Sequence, residues 1–186
     1  MPPRLTFVAN ASTPAVRAAA FPLDEGLDQR GQQDAEALGK ELPRASAVLV
    51  SSSRRAKETA AALGLTAEVD EGLRDLDLGR WAGFSINEIG ASEPEALEQW
   101  LSDPEAAPHG GESVDHLFAR ISVWLQSIST RDDRVIAVTH PAVIRAAILS
   151  AIHAAPTSFW NIDVAPLAIV QLTSNGRRWV LKSIRQ

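Results

Sequence analysis

The residues with the clearest chemical potential are polar side chains that directly follow three short apolar runs. The first run leads to Asn10, the second to a Ser-Ser-Ser-Arg-Arg segment that contains Arg55, and the third to His140. Apolar runs of this length are typical of buried β-strands. Parallel strands that feed helices place such residues at their carboxyl ends, where free helix N–H groups attract anions. The pattern therefore predicts an anion-binding pocket at one edge of a sheet.

Arg55 has the position expected of an anion-binding arginine, at the predicted start of a helix that a strand feeds. Its guanidinium would add a bidentate donor to the free N–H groups and the positive end of the helix dipole. The alternative is a solvated arginine on a surface helix, and that is our interpretation of the neighbouring Arg54. For Arg55 the pocket is favoured because of the strand that precedes it.

His140 ends an apolar strand and stands directly before Pro141. A histidine in such a place is either packed in the core or functional, and packing would be the simpler explanation for the residue alone. Proline suits the first position of a helix, so His140 is expected beside free helix N–H groups. An imidazole there would bind an anion well, which favours the functional interpretation.

Composition excludes several classes of protein. The 186 residues suit one domain spanning residues 1–186, and the lack of cysteine rules out disulfides, a thiolate nucleophile and a cysteine zinc site. The four histidines lack metal-ligand spacing, so neither a metal nor a cofactor is expected. A net charge of −5 with scattered basic residues argues against nucleic acid as a partner.

No membrane partner is expected, since the longest apolar stretch, residues 135–152, is interrupted by His140, Pro141 and Arg145. The apolar run near the N-terminus is too short for a signal peptide. The sequence therefore predicts a soluble, cytoplasmic protein. It carries no signal for the oligomeric state.

The elements that must position the polar residues follow from apolar periodicity and capping residues. Predicted strands span residues 5–8, 48–50, 67–69, 134–138, 167–172 and 179–184. Predicted helices span residues 28–42, 54–63, 86–89, 95–101, 114–128 and 141–152. Residues 14–26 are expected to be irregular, and the last two strands to form a hairpin across 174–176. The alternation predicts a three-layer α/β fold, a mostly parallel sheet with helices on both faces.

Four segments, taken in order, resemble the histidine phosphatase superfamily, the phosphoglycerate-mutase-like proteins. The matching segments are Arg-Ala at 55–56 with Thr-Ala at 59–60, Leu-Arg-Asp-Leu-Asp-Leu-Gly-Arg-Trp-Ala-Gly at 73–83, Gly-Gly-Glu-Ser at 110–113 and Thr-His-Pro at 139–141. The resemblance implies a phosphoglycerate-mutase-like fold. It also implies metal-independent hydrolysis of phosphomonoesters through a phosphohistidine. The short chain favours a small phosphatase over a sugar-phosphate mutase.

The resemblance implies roles for particular residues. Arg55 and His140 would bind phosphate, and Glu112 would orient arginines or the histidine of the pocket. Asp75 occupies the position of a glutamate that donates a proton to the leaving oxygen, and it is one methylene shorter. It could serve as the acid if burial or a dianionic substrate raises its pKa.

Two further residues are candidates for phosphate contact at the edge of the pocket. Arg17 lies in the loop after the first motif, and His109 precedes the glycine pair. For His109 an exposed loop position is an equal alternative. Arg120 and Arg145 are expected on the surfaces of their helices.

The family pattern fails at the residue that would perform the chemistry. The position of the nucleophilic histidine holds Asn10, and Ala9 stands where the family has an arginine. An amide nitrogen is not basic, because its lone pair is delocalised into the carbonyl, so Asn10 cannot form a phosphohistidine-like intermediate. It can still donate an N–H to a phosphate oxygen. We therefore expect binding of a phosphomonoester or inorganic phosphate, with hydrolysis absent or very low.

Several explanations of Asn10 remain open. It is either a natural loss, which gives a phosphate-binding pseudo-phosphatase, or an inactivating substitution introduced on purpose. In a third explanation His140 has become the nucleophile. We rank that last because moving the attacking atom disturbs in-line geometry. The alternative function is a non-catalytic module that senses a phosphorylated metabolite or binds another protein.

Overall fold

Six strands form one sheet in the computed structural model, which describes residues 3–129 and 134–186. The strands are β1 (Arg4–Ala9), β2 (Ala47–Val50), β3 (Glu68–Val69), β4 (Arg134–Thr139), β5 (Ile169–Ser174) and β6 (Trp179–Arg185). Their order is β3-β2-β4-β1-β5-β6, with β3, β2, β4 and β1 parallel to one another and β5 antiparallel to both of its neighbours, β1 and β6. The predicted mostly parallel sheet is confirmed.

Helices cover both faces of the sheet, as predicted. They are α1 (Pro14–Arg17), α2 (Gln29–Gly39), α3 (Arg54–Ala62), α4 (Ile86–Ser92), α5 (Pro94–Ser102), α6 (Val114–Ile128) and α7 (Pro141–Ile152). Short 3-10 helices lie at Glu71–Leu73, Gly79–Trp81 and Pro156–Asn161. Helices α2 and α3 contribute to one apolar core and α6 and α7 to the other. None of the helices in the described ranges is long and apolar enough to cross a bilayer.

Strand β1 shows why its sequence is an unbroken apolar run. Successive side chains of a strand point to opposite faces. Leu5 and Phe7 enter the core on the side of α6 and α7, and Val8 enters the core on the side of α2 and α3. Because both faces are covered, a parallel strand at this place must be apolar throughout.

Some boundaries differ from the predicted ones for local reasons. Helix α2 begins after Asp28 as predicted but ends at Gly39. Pro43, a few residues on, cannot donate to the carbonyl of Gly39 and disfavours a helical residue before it. Strand β5 begins at Ile169 rather than at 167, since Leu167 has a φ of 61°, which an extended strand cannot contain.

The segment 14–26, predicted to be irregular, contains the single helical turn α1. The side-chain oxygen of Thr13 accepts from the backbone N–H of Val16 at 3.4 Å, and Pro14 occupies the first turn. A threonine cap followed by proline is a favourable helix start, which explains the turn.

Two loops, one around Asp77 and one around Gly111, cross closely. The backbone N–H of Glu112 donates to the carbonyl of Asp77 at 2.7 Å, and that of Arg80 donates to the carbonyl of His109 at 3.0 Å. A Cβ atom placed on Gly111 would lie 2.1 Å from the Asp77 carbonyl oxygen. The crossing therefore needs glycine at 111, and it fixes the segment around Asp77 against the segment that carries Glu112.

We expect Gly111→Ala to lower the free energy of unfolding by about 2 kcal/mol or more, because two backbones must separate to admit the methyl group. The matched control is Gly90→Ala in α4, where the nearest atom would be at 3.5 Å. That variant should be neutral or more stable by up to ~1 kcal/mol. Chemical denaturation measures both. Equal stability of Gly111→Ala and the unmodified chain would contradict the close crossing.

Candidate functional site

The register of the sheet brings the polar segments together. Strands β1 and β2 both pair with β4 in parallel, and the three end level with one another. The backbone N–H of Asn10 donates to the carbonyl of Thr139 at 2.7 Å, and that of Ser51 donates to the carbonyl of Val138 at 3.0 Å. His140 follows directly. Residues that are up to 130 positions apart in the sequence thus become neighbours.

His140 is fully buried and bonded through both ring nitrogens. Its Nδ1 lies 3.0 Å from Oδ1 of Asn10, and its Nε2 lies 2.8 Å from Oγ of Ser51 and 3.3 Å from Oγ of Ser53. In this arrangement the amide oxygen accepts from Nδ1–H, which leaves Nε2 to accept from the serine hydroxyl. Burial lowers the pKa of His140 to about 4, and the Asp75 carboxylate opposes this only in part. The imidazole is therefore neutral at pH 7.

Arg55 and Asp75 form a close ion pair beside this histidine. Nη2 of Arg55 donates to Oδ2 of Asp75 at 2.6 Å, and Nη1 donates to the carbonyl of Leu23 at 2.8 Å. The same carboxylate oxygen lies 3.5 Å from Nδ1 of His140. The guanidinium of Arg55 is thus held in one orientation by two partners.

The protonation state of Asp75 bears on its predicted role as an acid. Burial alone would raise the pKa of this carboxyl, but the adjacent His140 ring and the charge of Arg55, with hydrogen bonds from Arg55 and the N–H of Leu76, hold the pKa below its usual value. Asp75 is therefore ionised at neutral pH when the site is free. Proton donation by Asp75 would require a bound dianion, or another change that raises this pKa.

Asn10, Arg55 and Asp75 line a cleft with a volume of about 210 Å³. The fully buried ring of His140 lies behind them, in contact with Asn10 and Asp75. The cleft thus presents an amide and a guanidinium to a ligand. Within the described part of the chain, no cluster of three or more His, Asp and Glu side chains is arranged to hold a metal ion.

Glu112 acts at a distance from the cleft. Its two carboxylate oxygens accept from Nε and Nη2 of Arg120 at 2.9 and 2.8 Å. Arg120 also donates to the carbonyls of Gly72 and Arg74, at 2.8 and 3.3 Å, immediately before Asp75. Glu112 therefore orients an arginine that holds the Asp75 segment by its backbone, whereas the sequence placed Arg120 on a helix surface. Its spacing of three residues after Leu117 and four before Trp124, both buried, is the signal that was available.

Arg17 and His109 are not among the residues that line the cleft. The side chain of Arg17 is 60% exposed and pairs with Asp28 at 3.0 Å. The ring of His109 is 1% exposed, and its Nδ1 accepts from the backbone N–H of Gly111 at 3.0 Å. His109 is thus neither at the rim nor in an exposed loop, because the aromatic ring of Trp81 packs against it at 5.1 Å.

Sequence reasoning missed three residues of the site. Ser51 and Ser53 bind the ring of His140, and their place in the segment between β2 and α3 was the available signal. Arg145 lines the cleft, although it was expected on the surface of its helix. It lies one helical turn after Pro141, which also lines the cleft, so that turn faces inward.

Comparison with known proteins identifies the class. A family model described as the Histidine phosphatase superfamily (branch 1) matches residues 15–186, so the chain belongs to this superfamily. The matched range begins after Asn10. The fold also agrees, because a structure of mycobacterial glucosyl-3-phosphoglycerate phosphatase with inorganic phosphate superposes with a TM-score of 0.80 at 28% identity, over 97% of this chain and 95% of that one.

Two curated relatives are similar over most of the chain. Phosphoserine phosphatase 1 of Hydrogenobacter thermophilus is 26% identical over 171 residues, which is 86% of this chain and 81% of the relative. Glucosyl-3-phosphoglycerate phosphatase of Mycolicibacterium vanbaalenii is 33% identical over 157 residues, which is 75% of this chain and 68% of the relative. Both relatives are named as phosphatases.

The buried histidine predicts a fall in stability on mild acidification. The pKa of His140 drops from 6.5 to about 4 on folding, so the unfolded chain binds more protons between these values. Stability from this group is complete above pH 6.5 and is lost as the pH falls toward 4. Between pH 7 and pH 5 we expect a loss of about 2 kcal/mol.

Denaturant unfolding at a series of pH values measures this loss. His140→Gln should show a shallower dependence on pH in that window, whereas the exposed His116→Gln should match the unmodified chain. Some dependence remains in His140→Gln, because burial also lowers the pKa of His109. An unchanged slope in His140→Gln would contradict the assignment.

Proposed function

We propose that this chain binds phosphomonoesters in the cleft at the carboxyl ends of β1, β2 and β4, and that it hydrolyses them very slowly or not at all. The observation that carries the proposal is Asn10 at the nucleophile position, hydrogen-bonded into an intact cluster with Arg55, Asp75 and His140. The phosphatase names of the relatives support the class of ligand. The cytoplasmic location expected from the sequence remains a prediction.

Asn10 can bind a phosphate but cannot accept the phosphoryl group. Its Oδ1 is engaged by the ring of His140, and its Nδ2 donates to the carbonyl of Ala11 at 3.0 Å. The amide N–H groups are donors, so a phosphate oxygen in the cleft can be bound by Nδ2. A covalent intermediate needs a basic nitrogen lone pair, which an amide lacks.

His140 is poorly placed to replace the missing nucleophile. The ring is fully buried, and Nε2 is occupied by Ser51. Although a neutral imidazole has the right protonation state, a phosphorus atom in the cleft cannot approach Nε2 in line through the serine. The role left to His140 is to hold the Asn10 amide and to respond electrostatically to a bound anion.

Arg55 is the cation that would bind the phosphate. It is 6% exposed and lines the cleft, and its partner Asp75 leaves donors of the guanidinium free. A phosphate dianion would compete with the Asp75 carboxylate for Arg55 and would raise the pKa of Asp75. This competition would supply the proton-donating form of Asp75 only in the liganded site.

The decisive experiment compares Asn10→His with the unmodified chain in metal-free hydrolysis of an aryl phosphate. We expect Asn10→His to release phosphate at least ~10²-fold faster, because the nucleophile is restored in a site that retains Arg55, Asp75 and His140. Ala9→Arg combined with Asn10→His should be faster still. Asn10→Gln is the control that keeps an amide, and it should stay inactive.

Two outcomes would count against this mechanism. Activity of the unmodified chain that equals that of Asn10→His would reveal another nucleophile, to be sought next with His140→Ala. No gain in Asn10→His, in a variant that still binds phosphate, would mean that the remaining groups are not catalytically competent.

Binding itself is tested by thermal unfolding in increasing inorganic phosphate. Saturable stabilisation is expected, reaching about 2.7 kcal/mol at a hundred times the dissociation constant. Arg55→Met should remove it, and the exposed Arg54→Met should not. Lack of stabilisation at millimolar phosphate would instead favour the protein-binding module as the function of this fold.

A further inference from the structure

The cleft changes character away from the phosphate-binding end. Beyond Asn10, Arg55 and Asp75, its walls are mostly apolar and include several aromatic rings. The larger apolar side chains are those of Phe21, Leu76, Leu78, Trp100, Phe159 and Trp160. Such walls bury the organic part of a ligand by the hydrophobic effect.

The aromatic rings form a continuous packed wall. The Trp100 and Trp160 centroids are 4.5 Å apart, Trp160 and Phe159 are 4.8 Å apart, and Phe21 meets Trp100 edge-on at 5.6 Å. The fully buried Trp81 supports Phe21 from behind at 5.9 Å. Rings that brace one another in this way present a stable surface for a flat apolar group.

The same wall disfavours a ligand that carries many hydroxyl groups. Outside the phosphate-binding end, the lining residues with polar side-chain atoms are Thr13, Trp100, Arg145 and Trp160. The hydroxyl oxygen of Thr13 already accepts from the N–H of Val16. Sugar hydroxyls buried here would lose water without gaining enough partners.

Arg145 supplies a positive charge on this apolar side. Its Nε donates to the carbonyl of Ile162 at 2.7 Å, and its guanidinium lies 5.6 Å from the ring centroids of both Phe159 and Trp160. Within residues 3–129 and 134–186, its two terminal nitrogens make no hydrogen bond and no ion pair within 4 Å. Burial lowers the pKa of Arg145, and the more distant Asp163 carboxylate opposes this by raising it. A half-buried guanidinium with free donors is well suited to bind a carboxylate in a bidentate manner.

An unpaired donor is buried within the aromatic wall. Trp100 is 3% exposed and lines the cleft, and its indole Nε1 has no hydrogen-bond acceptor among the described residues. Its ring packs against Trp160, the same ring that Arg145 covers. Because Nε1 is itself buried, this N–H belongs to the interior of the wall, and the charge offered to a ligand at this end is that of Arg145.

We propose that the ligand is a phosphomonoester of a ring-bearing apolar compound that also carries a carboxylate. This inference rests on the proposed function, since it takes the phosphate to be bound by Asn10 and Arg55. The ring packs against the aromatic wall, and the carboxylate meets the free guanidinium nitrogens of Arg145.

The test is a series of thermal-shift titrations with inorganic phosphate, glycerol phosphate, phenyl phosphate and the three isomers of carboxyphenyl phosphate. Phenyl phosphate should bind at least ~10-fold more tightly than glycerol phosphate, because the ring is buried and the hydroxyls are not needed. One carboxyphenyl isomer should gain a further ~10-fold over phenyl phosphate through Arg145. A phosphate-release assay checks that each probe stays intact.

Variants of Arg145 test whether this residue supplies the affinity gained from the carboxylate. Arg145→Gln should lose the carboxylate's contribution, so that the best carboxyphenyl phosphate binds this variant no more tightly than phenyl phosphate does. Arg145→Lys keeps the positive charge and should retain part of the carboxylate's contribution to affinity. Arg17→Gln is the matched control, since that arginine is exposed and outside the cleft. Unfolding without ligand verifies that each variant is folded.

Three results would overturn the inference. They are glycerol phosphate binding as tightly as phenyl phosphate, no carboxyphenyl isomer exceeding phenyl phosphate, and Arg145→Gln weakening inorganic phosphate as much as the carboxylated probe. In the last case Arg145 would bind the phosphate itself. Failure of inorganic phosphate to bind at all would instead reject the proposed function, so the two failures are distinguishable.

Discussion

The site depends on one buried chain of polar contacts that runs from Arg55 through Asp75 and His140 to Asn10. Each side chain influences the charge or the orientation of its neighbour. The guanidinium and the carboxylate neutralise each other at 2.6 Å, and burial keeps the imidazole uncharged. Removing Arg55 or Asp75 alone would leave the other charge buried and unpaired. The resulting loss of stability would exceed the net contribution of the intact ion pair. The rest of the structure serves to hold these four side chains in register.

Support for this chain comes from elements that never touch the cleft. The pair of Glu112 and Arg120 fixes the backbone before Asp75, and the close approach at Gly111 fixes the backbone after it. The Asp75 segment has little regular structure of its own, so these contacts supply the order that a helix or strand would otherwise give. Positioning in this protein is therefore distributed over the loops around the sheet edge.

Asn10 preserves the hydrogen bonds of the site but lacks the nucleophile that catalysis requires. Its amide oxygen accepts the ring N–H of His140, so the hydrogen-bonded chain is complete without a histidine at position 10. An amide fills the place and satisfies the polar partners, yet it has no nucleophilic lone pair. A retained fold and a retained anion pocket are thus compatible with the loss of catalysis that we propose.

The sequence by itself determined the strands, most helices and the polar residues at the strand ends, because apolar periodicity and capping are local signals. These signals are enough to predict Asn10, Arg55 and His140 at one edge of a sheet. The sequence could not place Arg145, Arg120 or His109, whose neighbours come from distant segments and whose burial depends on how loops pack. Tertiary structure alone decided that His140 is neutral, that Asp75 is ionised and that the cleft is apolar, because desolvation and pairing arise only when remote residues meet.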